Sequence, residues 1–152
     1  MEQLILHLIG DYLTQSDWMA QNKTNRSWPA FCHAAVYSAP FLLLTTHIPA
    51  LLSIFGTHFL IDRFRLARYV VWAKNLLAPR WMWFCDSPES IHDPTDPCDR
   101  CDYCRKVRTL PWASCTATGY PPDRSSWLAV WLLIIADNTL HLAINYAALR
   151  WL

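Results

Sequence analysis

Glycine is scarce, with three residues in a chain of 152. That leaves no closely spaced set from which to build a phosphate-cradling loop. Charge is scarce too: Asp, Glu, Lys and Arg make up 16% of the chain, against roughly 25% in an ordinary soluble domain. A net charge of +1 gives no basic footprint, so no nucleic-acid partner is expected. Neither a G-x-S-x-G elbow nor an H-E-x-x-H pair occurs, which removes the nucleophile and metal-ligand spacings of common soluble hydrolases. Glu2 stands where a secretory leader carries basic residues, so the N-terminus reads as having no cleavable signal.

Apolar and aromatic residues are abundant. The hydrophobic fraction is 53%, and nine residues are tryptophan. Mean hydropathy is a modest +0.09, because the polar, proline-rich stretch 74–126 dilutes the rest. A helix needs about 20 mostly apolar residues to cross a bilayer. The clearest such run is WLAVWLLIIADNTLHLAINYAAL, Trp127–Leu149, which has no Lys or Arg. Pro29–Ile48 follows, with a proline near its start and Pro40 as an internal kink. Ala50–Val71 comes third, joined to the second by a tight turn at Pro49. Leu4–Ala20 is the weakest, its apolar part being short. The expected fold is all-α: one membrane domain over 1–152, an integral bundle of about four helices. These are placed at roughly 3–20, 29–48, 50–73 and 127–150, with a long loop at 74–126.

Basic residues orient such a bundle. Lys23 and Arg26 mark the first connection. Arg63, Arg65, Arg68, Lys74 and Arg80 lead into the long loop, which adds Arg100, Arg105, Lys106, Arg108 and Arg124. Both segments are therefore expected on the cytoplasmic side of the membrane. Seven tryptophans, from Trp18 to Trp127, then line that interface, and Trp151 marks the other.

Ionisable residues inside a membrane are costly and mark function or pairing. His7 and Asp11, His58 and Asp62, and Asp137 and His141 are each four apart, on one helix face. The order reverses in the last pair. In antiparallel helices that reversal puts every His one turn nearer the outside, giving a His layer above an Asp layer. His33 is a further member, at a depth nearer the cytoplasm. Imidazole and carboxylate together suit a divalent metal such as zinc, manganese or iron. Three readings fit: a metal site, structural or hydrolytic; a polar network joining helices; and a proton or ion path. His47 reads as interfacial. Asn138 and Asn145 read as interhelical hydrogen-bond partners.

The long loop holds Cys98, Cys101 and Cys104 in a C-x-x-C-x-x-C run, with Cys85, His92 and Cys115 as candidate fourth ligands. Three thiolates at this spacing suit zinc. Lacking an apolar run, the loop has little else to fold around, so it reads as a zinc-binding insertion. An iron–sulfur cluster would want another cysteine where Arg108 stands. Unliganded thiols in a disordered loop are the plain alternative.

Taken together, HLIGDYLTQSDWMAQNK, CHAAVY, THFLIDRFRLARY and WLLIIADNTLHLAINYAAL resemble a family of small bacterial and phage membrane proteins. That family is a domain of unknown function, number three thousand three hundred and seven. The resemblance implies that His7, Asp11, His33, His58, Asp62, Asp137 and His141 are characteristic polar positions. It also implies a phage or prophage source. The resulting expectation is an inner-membrane, metal-binding protein, with membrane-embedded hydrolysis as its chemistry. The alternatives are a non-enzymatic factor that binds a host membrane protein, and a proton or ion pathway.

Overall fold

The computed structural model describes residues 1–75, 77, 115–120 and 125–152. Every regular element among them is helical. In order these are α1 (Glu2–Leu8), a π-helical turn (Ile9–Leu13), α2 (Asp17–Asn22), α3 (Ser27–Ser38), a 3₁₀ segment (Ala39–Leu43), α4 (Ile48–Phe64), α5 (Ala67–Asn75) and α6 (Ser126–Trp151). The chain forms two compact units. One comprises Met1–Ala67 with Ile135–Leu152, and the other Arg68–Ile134.

Helices α3 and α4 form the expected antiparallel hairpin. Ser27 lies beside Arg63, and His33 lies beside His58. The turn differs from expectation. Pro40 has no N–H for the α ladder, so α3 tightens into the 3₁₀ segment and ends at Leu43 rather than residue 48. Residues 44–47 make the turn, and Pro49 sits inside the first turn of α4, where a missing N–H costs nothing.

The run expected at 50–73 is two helices. Arg65 takes a left-handed conformation (φ 52°) and caps α4. The Leu66 N–H donates to the Ile61 carbonyl at 2.9 Å, the bond that closes a helix end. Arg63 fixes this end by donating to the Thr24 carbonyl at 2.8 Å and to Ser27 Oγ at 3.2 Å.

The run expected at 3–20 also divides. The Thr14 N–H reaches back to the Ile9 carbonyl at 3.0 Å, closing a π turn. The chain then leaves the helix, and Ser16 caps α2 through the Met19 N–H. From Glu2 to Leu13 the helical path covers about 18 Å, well short of a bilayer core of about 30 Å.

Gly10 sits in the π turn because nothing larger fits. A Cβ there would lie 2.7 Å from Tyr37 Cδ2 and 3.1 Å from the Tyr37 carbonyl oxygen. Tyr37 is fully buried and cannot retreat. Gly10→Ala is therefore expected to destabilise the unit by about 1–3 kcal/mol, the usual cost of overpacking. Thermal unfolding in detergent checks this; an unchanged midpoint would mean that α1 is not held against α3.

Burial in this unit is inverted relative to a soluble protein. His7, His33, His58 and His141 are each at most 1% exposed, while Leu43 is 81%, Ile48 68% and Leu52 62% exposed. The apolar core is small: Leu6, Tyr37, Phe41, Ile54 and Ala148. One described helix, α6, is long and apolar enough to cross a membrane. Its 26 residues span about 39 Å at 1.5 Å each.

In the second unit, Thr116 Oγ1 donates to the Tyr120 carbonyl at 2.7 Å. Lys74 Nζ lies 5.3 Å over the Tyr120 ring. Gly119 has φ +75° and passes so close to Arg68 that a side chain has no room.

Candidate metal centre

The side chains that meet in the first unit come from five elements. The π turn contributes Asp11. The connection after α2 contributes Lys23. His33 and Tyr37 come from α3, His58 and Asp62 from α4, and Asp137 and His141 from α6. Each i,i+4 pair lies on one side of its helical segment, with His and Asp 3.2–3.5 Å apart. Helix α4 places His58 and Asp62 one turn apart with the His–Asp distance at 3.2 Å.

Four atoms converge. His33 Nε2 and His58 Nε2 are 3.0 Å apart. His33 Nε2 lies 3.3 Å from Asp11 Oδ1 and 3.2 Å from Asp62 Oδ2. His58 Nε2 lies 3.4 Å from Asp11 Oδ1 and 3.2 Å from Asp62 Oδ2. A metal with tetrahedral ligands at about 2.0–2.1 Å separates its ligand atoms by about 3.3–3.4 Å. The five separations given are close to those edges, and two triads, Asp11–His33–His58 and His58–Asp62–His141, each bring their ligand atoms within 4.8 Å of one another. Asp11 Oδ1 and Asp62 Oδ2 are buried, yet neither accepts a hydrogen bond of good geometry. Buried carboxylate oxygens that converge in this way are what a cation satisfies.

Lys23 is the charge already present. Its Nζ is 2.9 Å from Asp62 Oδ2 and 3.2 Å from His33 Nε2. The outer nitrogens, His33 Nδ1 and His58 Nδ1, have no hydrogen-bond partner. Packing orients the His58 ring instead: Tyr37 stacks on it with centroids 3.5 Å apart and planes 13° apart.

The remaining expected residues divide. His141 Nε2 is 3.7 Å from Asp62 Oδ1 and 3.5 Å from Asp137 Oδ2. His7 lies to one side. It pairs loosely with Asp11 at 3.5 Å, and its closer partners are Tyr37 Oη and Asn138 Oδ1, both at 2.8 Å. His7 is thus part of a polar network rather than the convergent set. Asn138 also donates to Tyr12 at 2.8 Å, and Asn145 donates to Tyr37 at 2.6 Å. Both asparagines link helices, as expected.

The His7, His58 and His141 rings are neighbours, with centroids 6.0 Å apart for His7–His141 and 4.2 Å for His58–His141. His33 stands between Asp11 and Asp62, because the π turn carries Asp11 against α3. Two contributors were missed. Tyr37 lies four residues after His33, so the same spacing rule points to it. Lys23 had no such signal, since it lies outside any regular helix.

Among the cysteine-loop candidates, Cys85, His92, Cys98, Cys101 and Cys104 lie outside the described residues. Cys115 is half-buried with its Sγ 3.8 Å from the Arg68 carbonyl. Burial pushes its thiol pKa up, against a smaller opposing pull from the Arg68 charge.

Among the described residues, helices with many exposed apolar side chains surround a buried His/Asp centre able to accommodate a metal ion, and that is the class these features define. The chain belongs to the family described as "Protein of unknown function (DUF3307)", whose family model matches residues 1–86. Asp11, Lys23, His33, His58 and Asp62 fall within the match; Asp137 and His141 fall beyond it. No curated protein and no solved structure matches the chain.

Proposed function

We propose that this chain is a multi-pass membrane protein that binds a divalent metal ion inside its helix bundle, with Asp11, His33, His58 and Asp62 as ligands. The observation that carries the reading is the convergence of the buried Asp11, His33 and His58 ligand atoms at 3.0–3.4 Å, with Asp62 Oδ2 3.2 Å from both histidine nitrogens. Nitrogen and oxygen donors in that geometry suit zinc, with manganese and iron as alternatives.

Helix α6 spans the bilayer. The α3–3₁₀ run and α4 each reach about 26–28 Å by their helical rises and form a second and third span under modest thinning. The α1–π segment enters from one side and ends at the centre. The basic connection and residues 74–126 face the cytoplasm of a bacterial inner membrane. The inverted burial supports this placement, since lipid replaces water around Leu43, Ile48 and Leu52.

A site whose four positions are all protein ligands is of the closed, structural kind. Its first effect is to tie the π turn, α3 and α4 together and to neutralise their carboxylates. Hydrolysis needs an open position besides.

The test is elemental analysis of detergent-purified protein in which Cys85, Cys98, Cys101, Cys104 and Cys115 are serine. Bound metal is expected to persist there and to disappear on His58→Ala with helicity retained. Metal lost with the cysteines alone would leave the His/Asp cluster as a polar network neutralised by Lys23, and would place the zinc site in the loop.

A further inference from the structure

The centre described above uses Asp62 Oδ2 and leaves Oδ1 pointing elsewhere. Oδ1 lies 3.7 Å from His141 Nε2. That nitrogen is fully buried and makes no hydrogen bond of good geometry, although Asp137 Oδ2 is 3.5 Å away. An imidazole nitrogen aimed between two carboxylate oxygens without bonding either is a ligand set lacking its centre. His58, Asp62 and His141 also offer ligand atoms within 4.8 Å of one another.

We propose a second divalent-metal site formed by Asp62 Oδ1, His141 Nε2 and Asp137 Oδ2, with Asp62 as the bridge to the first. This inference rests on the metal centre proposed above and extends it. Carboxylate-bridged pairs hold their metals about 3.5–4 Å apart, the reach of one carboxylate's two oxygens. The two positions are unequal. The first has four protein ligands; the second has three, which is the catalytic pattern in which water takes the remaining place.

Access agrees with this. The Asp137 side chain is 30% exposed, whereas that of Asp62 is 5% exposed. The second position is therefore the one that a small molecule reaches. Charge agrees as well. Asp11, Asp62 and Asp137 leave two divalent ions one positive charge in excess once Lys23 has withdrawn. A hydroxide on the open position cancels it, which a low-dielectric interior favours. Hydrolysis of a bond presented at the open position is the chemistry such a pair supports.

The test counts metal per chain in the background with serine at the five loop cysteines, loaded with Mn²⁺. Two ions per chain are expected, with the electron paramagnetic resonance broadened by exchange across the bridge. Asp137→Asn and His141→Ala are each expected to leave one ion and the unbroadened spectrum of isolated Mn²⁺. Should His141→Ala fail to fold, the part-exposed Asp137→Asn decides alone. One ion in the background, unaffected by Asp137→Asn, overturns the second site and leaves the first standing. No ion at all overturns both.

Discussion

Asp62→Ala is expected to be the most damaging single change in the bundle. Its carboxylate stands 2.9 Å from Lys23 Nζ and 3.2 Å from both His33 Nε2 and His58 Nε2. Its other oxygen faces His141. Removing it leaves the lysine charge against the His33 imidazole, 3.2 Å away, without its carboxylate. Breaking one partner of a buried pair costs about 3–5 kcal/mol, several times the roughly 1 kcal/mol net value of a neutral hydrogen bond. Asp62→Asn separates the two contributions. It keeps the volume and a polar oxygen, so most of the stability is expected to return. It does not restore the charge, so metal affinity is expected to stay at least about 100-fold down, a ligand being worth more than the outer-sphere partners for which that figure is typical. Unfolding temperature and metal content of the two variants, side by side, check this. An Asp62→Ala protein that melts with the wild type would mean that Asp62 is not the counter-ion of the centre.

The legible part of this structure followed from period and composition. The helix at Ser126–Trp151 was readable because its apolar run is long and free of basic residues. The meeting of His33, His58, Asp62 and His141 was readable in outline because each sits on the polar face of an apolar segment. The breaks were harder. Pro40 announced a kink, but not that the helix would tighten and stop at Leu43. Nothing in RFRLAR marks Arg65 as a left-handed cap, since glycine is the usual signal there. The π turn at Ile9–Leu13 has no composition of its own. It is readable only through Gly10, whose missing side chain lets Tyr37 approach. That unread turn is what moved Asp11 into contact with His33. A depth estimate from rise per residue assumes regular helices, and here three of the four runs were not regular.

Lys23 has the opposite effect from Asp62. Counted with Arg26, it reads as a topological charge at the end of a short connection. In the fold its ammonium enters the cluster and takes the oxygen that a metal would take. The two cations cannot share Asp62 Oδ2 closely, because like charges at such separations repel strongly in a medium of low dielectric. Metal binding must therefore displace Lys23 from Asp62, and the broken contact is subtracted from the metal's affinity. A hydrogen bond involving charged groups is worth about 1.5–3 kcal/mol, and the 19% exposure of the lysine side chain places this one at the low end. Each 1.4 kcal/mol is a factor of ten. Lys23→Met, which keeps the aliphatic stem and removes the charge, is thus expected to bind Zn²⁺ about tenfold more tightly than the wild type. The same variant is expected to be less stable without metal, since Asp62 then lacks its cation. Competition against a chelator of known affinity measures the first effect and metal-free thermal unfolding the second. Equal affinity in the two proteins would show that Lys23 and the metal do not contend for the same carboxylate. An affinity that falls on substitution would place the lysine among the groups that hold the site together.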